Sequence, residues 1–199
     1  FDTSNVIDMS SMFSYCSKLT SLNLNNFDTS NVTDMRNMFY TCNNLTTIKL
    51  NSFKTSKVEN MSYMFAYSNI TNLDLSNFDM RNVKSASDMF HYCSNLVNLN
   101  TTNWNLSQVT TAIGMFSSCS KLATLDVTNW KMNNATNIRY MFSACNALQT
   151  LNVNSWDTGK AVDMRYMFSG CTSLTGLEVR EWNTSSATNM NYMFNGCSS

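Results

Sequence analysis

Residues 27–52 read FDTSNVTDMRNMFYTCNNLTTIKLNS, and the rest of the chain repeats this stretch with substitutions. Successive copies are 26 residues apart at every step but one, where the spacing is 25. A Met-Phe dipeptide marks each copy: Met12-Phe13, Met38-Phe39, Met64-Phe65, Met89-Phe90, Met115-Phe116, Met141-Phe142, Met167-Phe168 and Met193-Phe194. Repetition at a fixed period of this size predicts a solenoid, in which each unit buries its apolar face against its neighbours.

The units also predict how the chain is organised. They open with Phe or Trp at residues 1, 27, 53, 78, 104, 130, 156 and 182, and the eighth ends at Ser199 before its strand. We therefore expect residues 1–199 to form a single repeat array with an incomplete last unit, as a fragment of a longer protein. In the short third unit, the segment 67–70 stands where unit 1 has 15–19, so one residue is lost and the cysteine with it.

The first half of each unit has the spacing of an amphipathic helix. In unit 1 the apolar residues cover an arc of roughly 120° on a helix. They are Val6, Met9, Met12, Phe13 and Cys16. Ser4 is a typical helix N-cap residue, and Gly170 and Gly196 stand where a helix would end. The pattern predicts a helix of about ten residues in each unit.

The second half of each unit alternates apolar with polar residues, as Leu22 and Leu24 show in unit 1. Alternation with period two predicts a strand with one buried face. One strand and one helix repeated in the same sense can bury both apolar faces only by coiling. The expected fold class is therefore α/β, a right-handed solenoid with one short parallel strand and one helix per 26-residue repeat.

These repeats resemble a known family. The segment 19–27, Leu-x-x-Leu-x-Leu-x-x-Phe, is similar to the leucine-rich repeat, with an aromatic residue where that consensus usually has Asn. The whole unit, with its Met-Phe pair and cysteine, resembles the repeat of BspA-like bacterial surface proteins and related lipoproteins. This resemblance implies a leucine-rich-repeat-like fold and a secreted or surface-anchored bacterial protein, with adhesion or host interaction as its role. Attachment to a membrane or wall would then depend on parts outside this chain.

Composition argues against several classes of function. Thirteen Lys and Arg balance 13 Asp and Glu and are spread thinly, whereas nucleic-acid binding needs clustered basic residues. The single histidine, His91, lies outside the apolar arc and has no catalytic partner in the sequence pattern, so we expect it to be exposed and incidental. We expect no enzyme activity, no cofactor and no metal.

The seven cysteines share one position of the repeat. Because packed helices lie ~8–10 Å apart, we expect free, buried thiols rather than disulfides or a zinc site. The methionines are expected to fill the core. The Asp residues at the second and eighth positions of the units are expected to be turn and cap residues rather than a calcium column: Asp2, Asp8, Asp28, Asp34, Asp157 and Asp163.

One surface is a candidate binding site. If Leu22 and Leu24 point inward, the strand residues between them form a polar row on the opposite side of the sheet. Helices are wider than the ~4.8 Å strand spacing, so this face is expected to be concave. The candidate concave binding face consists of Asn23, Lys49, Asp74, Asn100, Asp126, Asn152 and Glu178.

The leading functional hypothesis is a non-enzymatic repeat module on the bacterial cell surface, for adhesion or binding of a protein or glycan of a host or neighbouring cell. A second hypothesis is a structural spacer or a filament formed by end-to-end self-association of repeat ends. A third is ice or crystal-surface binding through rows of Thr and Asn, although the charged residues Lys49, Asp74, Asp126 and Glu178 interrupt those rows.

Overall fold

The computed structural model describes residues 1–198. Each repeat unit forms one coil, and the coils stack in sequence order. At the eighth position of the repeat, parallel bridges link each coil to the next along the whole stack: Asp8 to Asp34, Asn60, Ser85, Thr111, Asn137, Asp163 and Asn189. The predicted repeat solenoid is therefore confirmed. Within residues 1–198, no helix is long and apolar enough to cross a membrane.

The strand of each unit is short and parallel to its neighbour. Strand β1 (Ser21–Asn23) pairs with β2 (Thr47–Lys49), and β3 (Asn72–Asp74) pairs with β4 (Asn98–Asn100). In the next three coils the ladder is reduced to single bridges that join Thr124, Thr150 and Gly176. The parallel strand expected in each repeat is thus formed fully in the first four coils only.

The predicted helix of each repeat is wrong. None of the described residues is helical, and the segment from Met9 to Cys16 forms two consecutive turns instead. The Met12 N–H donates to the Met9 carbonyl oxygen (3.3 Å) and the Cys16 N–H to the Phe13 carbonyl oxygen (3.2 Å). The third residue of each turn has a positive φ, 58° at Ser11 and 60° at Tyr15, which is the pattern of type II turns. Ser4 is accordingly no helix N-cap.

Hydrogen bonds between coils explain why turns replace the helix. Alternate N–H groups in this segment donate to the following coil: Met9 to Asp34, Ser11 to Arg36, Phe13 to Met38 and Tyr15 to Tyr40, over 2.7–2.9 Å. A helix would direct these donors along its own axis. The expectation of a concave strand side was based on the greater width of helices. Because both halves of the coil pair with their neighbours like strands, that reason does not apply. We refer to that side as the strand face.

Aromatic rings stack through the core in register with the coils. The phenylalanines of the Met-Phe pairs, from Phe13 to Phe194, form one continuous column with ring centroids 5.2–5.8 Å apart. A second column contains Trp104, Trp130, Trp156 and Trp182 at 5.7–6.2 Å. The predicted interior positions of Met, Phe, Val and Leu are confirmed in the middle coils, where these side chains are buried.

Asp and Asn side chains form the corners of the coil. All six of the Asp residues predicted as turn residues accept a hydrogen bond from the backbone N–H two residues later, which is an Asx turn. The strand face has equivalent turns, in which Asn23, Asp74, Asn100, Asp126 and Asn152 accept in the same way. Each unit can therefore have three such corners, and these polar residues fix the path of the chain.

The structure of the third coil shows that the missing residue of unit 3 was placed wrongly. Tyr67 has a φ of 60°, as Tyr15 has, and the Ser68 N–H donates to the Phe65 carbonyl oxygen just as the Cys42 N–H donates to that of Phe39. Ser68 is buried and therefore occupies the cysteine position. The missing residue belongs to the loop that follows it.

We expect Thr41→Gly to raise the free energy of unfolding by about 0.5–1 kcal/mol. Thr41 has a φ of 58°, where a β-branched residue is strained and glycine is not. The matched control is Thr47→Gly in β2, where extended backbone makes glycine unfavourable by roughly 0.5–1 kcal/mol. Urea denaturation of both variants would measure the difference. Equal destabilisation by both would contradict the type II turn.

Candidate binding surfaces

The strand face places all seven predicted site residues in solvent. Asn23 pairs with Lys49 across β1 and β2, and Asp74 pairs with Asn100 across β3 and β4. The set with exposed side chains is Asn23, Lys49, Asp74, Asn100, Asp126, Asn152 and Glu178. The inward and outward assignment of the strand residues is therefore correct, while the role of this face in binding stays a prediction.

The structure brings three of the seven residues together in one groove. A groove of about 620 Å³ crosses β3, β4 and the segment 124–126, and Asp74, Asn100 and Asp126 line it. Asn152 and Glu178 line a smaller groove of about 240 Å³ further along the strand face. Asn23 and Lys49 lie on β1 and β2, outside both linings.

The two carboxylates of the large groove are held in place. The Asp74 carboxylate accepts the Ser76 N–H (3.0 Å), and the Asp126 carboxylate accepts both the N–H (3.0 Å) and the hydroxyl (2.7 Å) of Thr128. These hydrogen bonds lower the pKa of Asp74 and Asp126 below the ordinary value. Both groups are therefore ionised at neutral pH, above an apolar floor that includes Leu73 and Leu125.

The groove lies where the regular pairing of the coils is interrupted. Within residues 1–198, no ladder bridge joins β4 to Thr124. Indole N–H groups of the Trp column donate to carbonyl oxygens of a preceding coil, from Trp104 to Leu75 and from Trp156 to Val127, but the buried Trp130 Nε1 has no partner in the described part of the chain. Sequence reasoning missed this junction. Its signal is Thr101, which stands where units 1–3 and 5–7 have Leu or Val.

A second site lies on the side of the coils formed by the two consecutive turns, at the eleventh position of the repeat. From unit 3 onward this position is occupied by Tyr63, Asp88, Gly114, Tyr140, Tyr166 and Tyr192. We call this row the tyrosine column. Tyr140, Tyr166 and Tyr192 stack with ring centroids 4.8 Å apart. Asp88 and Gly114 interrupt the column and leave a notch in it.

His91 lies at this notch, and the expectation that it would be exposed is wrong. Its Nδ1 atom is buried and lies 3.6 Å from the nearer oxygen of Asp88. The imidazole contacts the rings of Tyr67 and Tyr92 edge-on, at 5.3 and 4.7 Å. Burial lowers the pKa of His91 and raises that of Asp88, because both groups lose solvation of their charged forms. The position of His91 outside the apolar arc of a helix misled the prediction, because the segment is not a helix.

We expect acidification to destabilise the fold through His91. Because the pKa of His91 is lowered on folding, its contribution to stability is present above its ordinary value of 6.5 and is lost as pH falls through the folded value. Asp88, whose pKa is raised, acts in the opposite sense at lower pH. Urea denaturation at about pH 7.5 and about pH 5 should show a smaller loss for His91→Gln than for the unmodified chain. An identical loss in both would contradict this effect of burial.

The cysteines form a column of free thiols, five of them buried. Each buried thiol donates to the carbonyl oxygen of a phenylalanine in a preceding coil, as Cys119 does to Phe90 (3.2 Å) and Cys145 to Phe116 (3.1 Å). Burial raises the pKa of Cys42 and Cys93 to about 11, so these thiols stay protonated. The free thiols were predicted correctly, but the helix spacing offered as their reason does not apply.

The described residues contain no group of three or more His, Cys, Asp or Glu placed to hold a metal ion. Asp88 and His91 are the one pair of acid and imidazole within 4.0 Å in residues 1–198. Their 3.6 Å separation is longer than a hydrogen bond.

Stacked parallel coils with leucine-bearing strands define this chain as a repeat solenoid. It belongs to the family described as "Mycoplasma protein of unknown function, DUF285", whose profile matches residues 1–98 and 91–199. The BspA-like kinship expected from the Met-Phe repeat is thereby confirmed.

Two solved structures are similar to the chain. A leucine-rich repeat protein from Bacteroides ovatus matches with 18% identity and a TM-score of 0.47, over 97% of this chain and 57% of that one. A leucine rich cell surface protein from Faecalibacterium prausnitzii matches with 16% identity and a TM-score of 0.27, over 90% of this chain and 71% of that one. The chain thus spans little more than half the length of the Bacteroides protein. No curated protein matches.

Proposed function

We propose that this chain is a non-enzymatic repeat module displayed on the bacterial cell surface, which binds a basic segment of a partner protein in the groove of the strand face. The observation that carries the proposal is the placement of Asp74 and Asp126 in one groove of about 620 Å³. Display on the cell surface is inferred from the kinship of the chain with BspA-like surface proteins.

Charge and shape favour this occupant. Two ionised carboxylates attract Lys or Arg side chains, while Asn100 between them holds its side-chain oxygen on the N–H and hydroxyl of Thr102. The apolar floor, with Leu73 and Leu125, accepts the aliphatic stems of such side chains or an apolar residue between them. Hydrogen bonds from Ser76 and Thr128 hold the two carboxylates in fixed positions, which lowers the cost of binding.

The proposal is tested with an array of basic, neutral and acidic peptides and the purified chain. The double variant Asp74→Asn/Asp126→Asn keeps an oxygen for each Asx turn but removes both charges. We expect it to bind basic peptides at least about ten-fold more weakly, with a smaller salt dependence. The matched control, Asp28→Asn/Asp157→Asn, makes the same change at corners away from the groove and should bind normally.

Two results would reject the proposal. Equal weakening by both double variants would show that only net charge matters. Failure of the chain to prefer basic peptides would leave the groove without its proposed occupant and would favour the spacer hypothesis.

A further inference from the structure

The notch in the tyrosine column is a site independent of the strand face. It is a pocket of about 380 Å³, and its lining includes Asp88, His91, Tyr92, Gly114 and Tyr140. This volume lies within the usual range for pockets that bind small molecules. The pocket exists because two consecutive coils lack the tyrosine that units 3, 6, 7 and 8 have at this position.

Gly114 is required for the pocket to have this shape. Tyr63 and Tyr140 share its positive φ at this position, so the backbone alone does not demand glycine, but a Cβ atom placed there would clash with Oδ1 of Asp88. Any side chain at this position would therefore displace the carboxylate.

Tyr140 forms one wall of the notch with an uncovered ring. One face of this ring stacks on Tyr166, with an angle of 8° between the planes. The next position of the column on the other side is Gly114, which has no side chain to cover the second face. A flat ligand with an apolar face can take the place of the missing ring.

The polar groups of the notch select the kind of flat ligand. Asp88 offers acceptor oxygens, and three serines that line the pocket, Ser117, Ser118 and Ser143, offer hydroxyls. This set suits a ligand with several hydroxyl groups better than a plain aromatic ring, which would leave the polar groups unpaired.

The charges around the notch favour a neutral ligand. Asp88 opposes an anion, and the Arg139 guanidinium, near enough to act on the Asp88 carboxylate, opposes a cation. His91 is uncharged at neutral pH because burial lowers its pKa. The Tyr63 side chain beside Asp88 adds a hydroxyl without charge.

We propose that the notch between Tyr63 and Tyr140 binds a neutral pyranose unit of a glycan, with the apolar face of the sugar on Tyr140 and its hydroxyls on Asp88 and the serines. This activity goes beyond the binding of a basic peptide on the strand face. Either site can be lost without the other, because their lining residues do not overlap.

The test is titration of the full chain with methyl glycosides of neutral hexoses, followed by NMR through the Gly114 amide signal. A single sugar ring in such a site should bind with a Kd on the order of 1 mM. We expect Asp88→Asn and Tyr140→Ala each to weaken binding at least about ten-fold. The matched controls are Asp157→Asn and Tyr192→Ala, which change an Asx corner and the far end of the same column. Both should bind as the unmodified chain does.

Three outcomes would overturn the proposal. The first is the absence of saturable shifts with any neutral hexoside. The second is equal loss of binding in the site variants and their controls. The third is a stronger, Asp88-dependent response to phenol or to a lysine derivative, which would assign the notch to an aromatic or cationic group instead. The thermal unfolding transition of each variant is also measured. An unchanged transition shows that weaker binding results from the altered site and not from unfolding.

Discussion

Phe90→Ala is expected to lower the free energy of unfolding by about 3–5 kcal/mol. Phe90 is completely buried, and its ring stacks between Phe65 and Phe116 at 5.5 and 5.2 Å. Truncation removes the contacts of this ring with both the third and the fifth coil and leaves a cavity. The stacked column cannot close this cavity, because the hydrogen bonds between coils fix the spacing of the rings.

The matched comparison is Lys49→Ala on the strand face. Lys49 is exposed, so its replacement should change the free energy of unfolding by about 0.5 kcal/mol or less. Urea denaturation with circular dichroism measures both variants. If the two midpoints moved by the same amount, the division of the coil into interior and exterior positions would be wrong.

Cys119→Asp is expected to prevent cooperative folding, because an unpaired buried charge costs about 3–5 kcal/mol or more. Cys119 is completely buried, and its neighbours in the cysteine column are Cys93 and Cys145. Burial already raises the pKa of the Cys119 thiol well above its ordinary value, so this site favours the neutral form of any titratable group. A carboxylate there would have no cation to pair with in the adjoining coils.

Cys119→Ser is the control for this variant. A serine already occupies the same position of the third coil, where Ser68 is buried against Cys93 with 3.4 Å between oxygen and sulfur. We therefore expect Cys119→Ser to fold and to lose about 2 kcal/mol or less. A cooperative thermal transition for the aspartate variant close to that of the serine variant would show that the column is hydrated.

Repetition allowed most of the fold to be predicted, but local periodicity misassigned half of each coil. The spacing of Val6, Met9, Met12, Phe13 and Cys16 fits one face of a helix. Two successive four-residue turns place the same residues inside, because each turn also brings residues three apart to one side. The residues that distinguish the two structures are Ser11 and Tyr15. At the equivalent positions of later units, Gly114, Gly170 and Gly196 have the positive φ of a type II turn, so Gly170 and Gly196 do not mark helix ends.

The two candidate sites differ in how far the sequence predicts them. Alternation in the strands identified the exposed residues of the strand face, including Asp74 and Asp126. Their groove crosses the unpaired junction between the fourth and fifth coils, where Thr101 replaces the Leu or Val of other units. The notch could have been found by comparing the eleventh positions of the units, where Asp88 and Gly114 break a run of tyrosines. The tyrosine column was not recognised because this segment was predicted to be a helix.

In the turn segment, each of the first seven coils presents the same backbone donors to the coil after it, and this regularity bears on how such genes change length. Recombination that inserts or removes one whole unit rejoins a coil to a neighbour with the same bonding pattern. We therefore expect a gain or loss of one whole unit to cost little in folding free energy. Rare departures such as Gly114 travel with the unit that bears them, so a single duplication can copy a specific feature as well as extend the molecule.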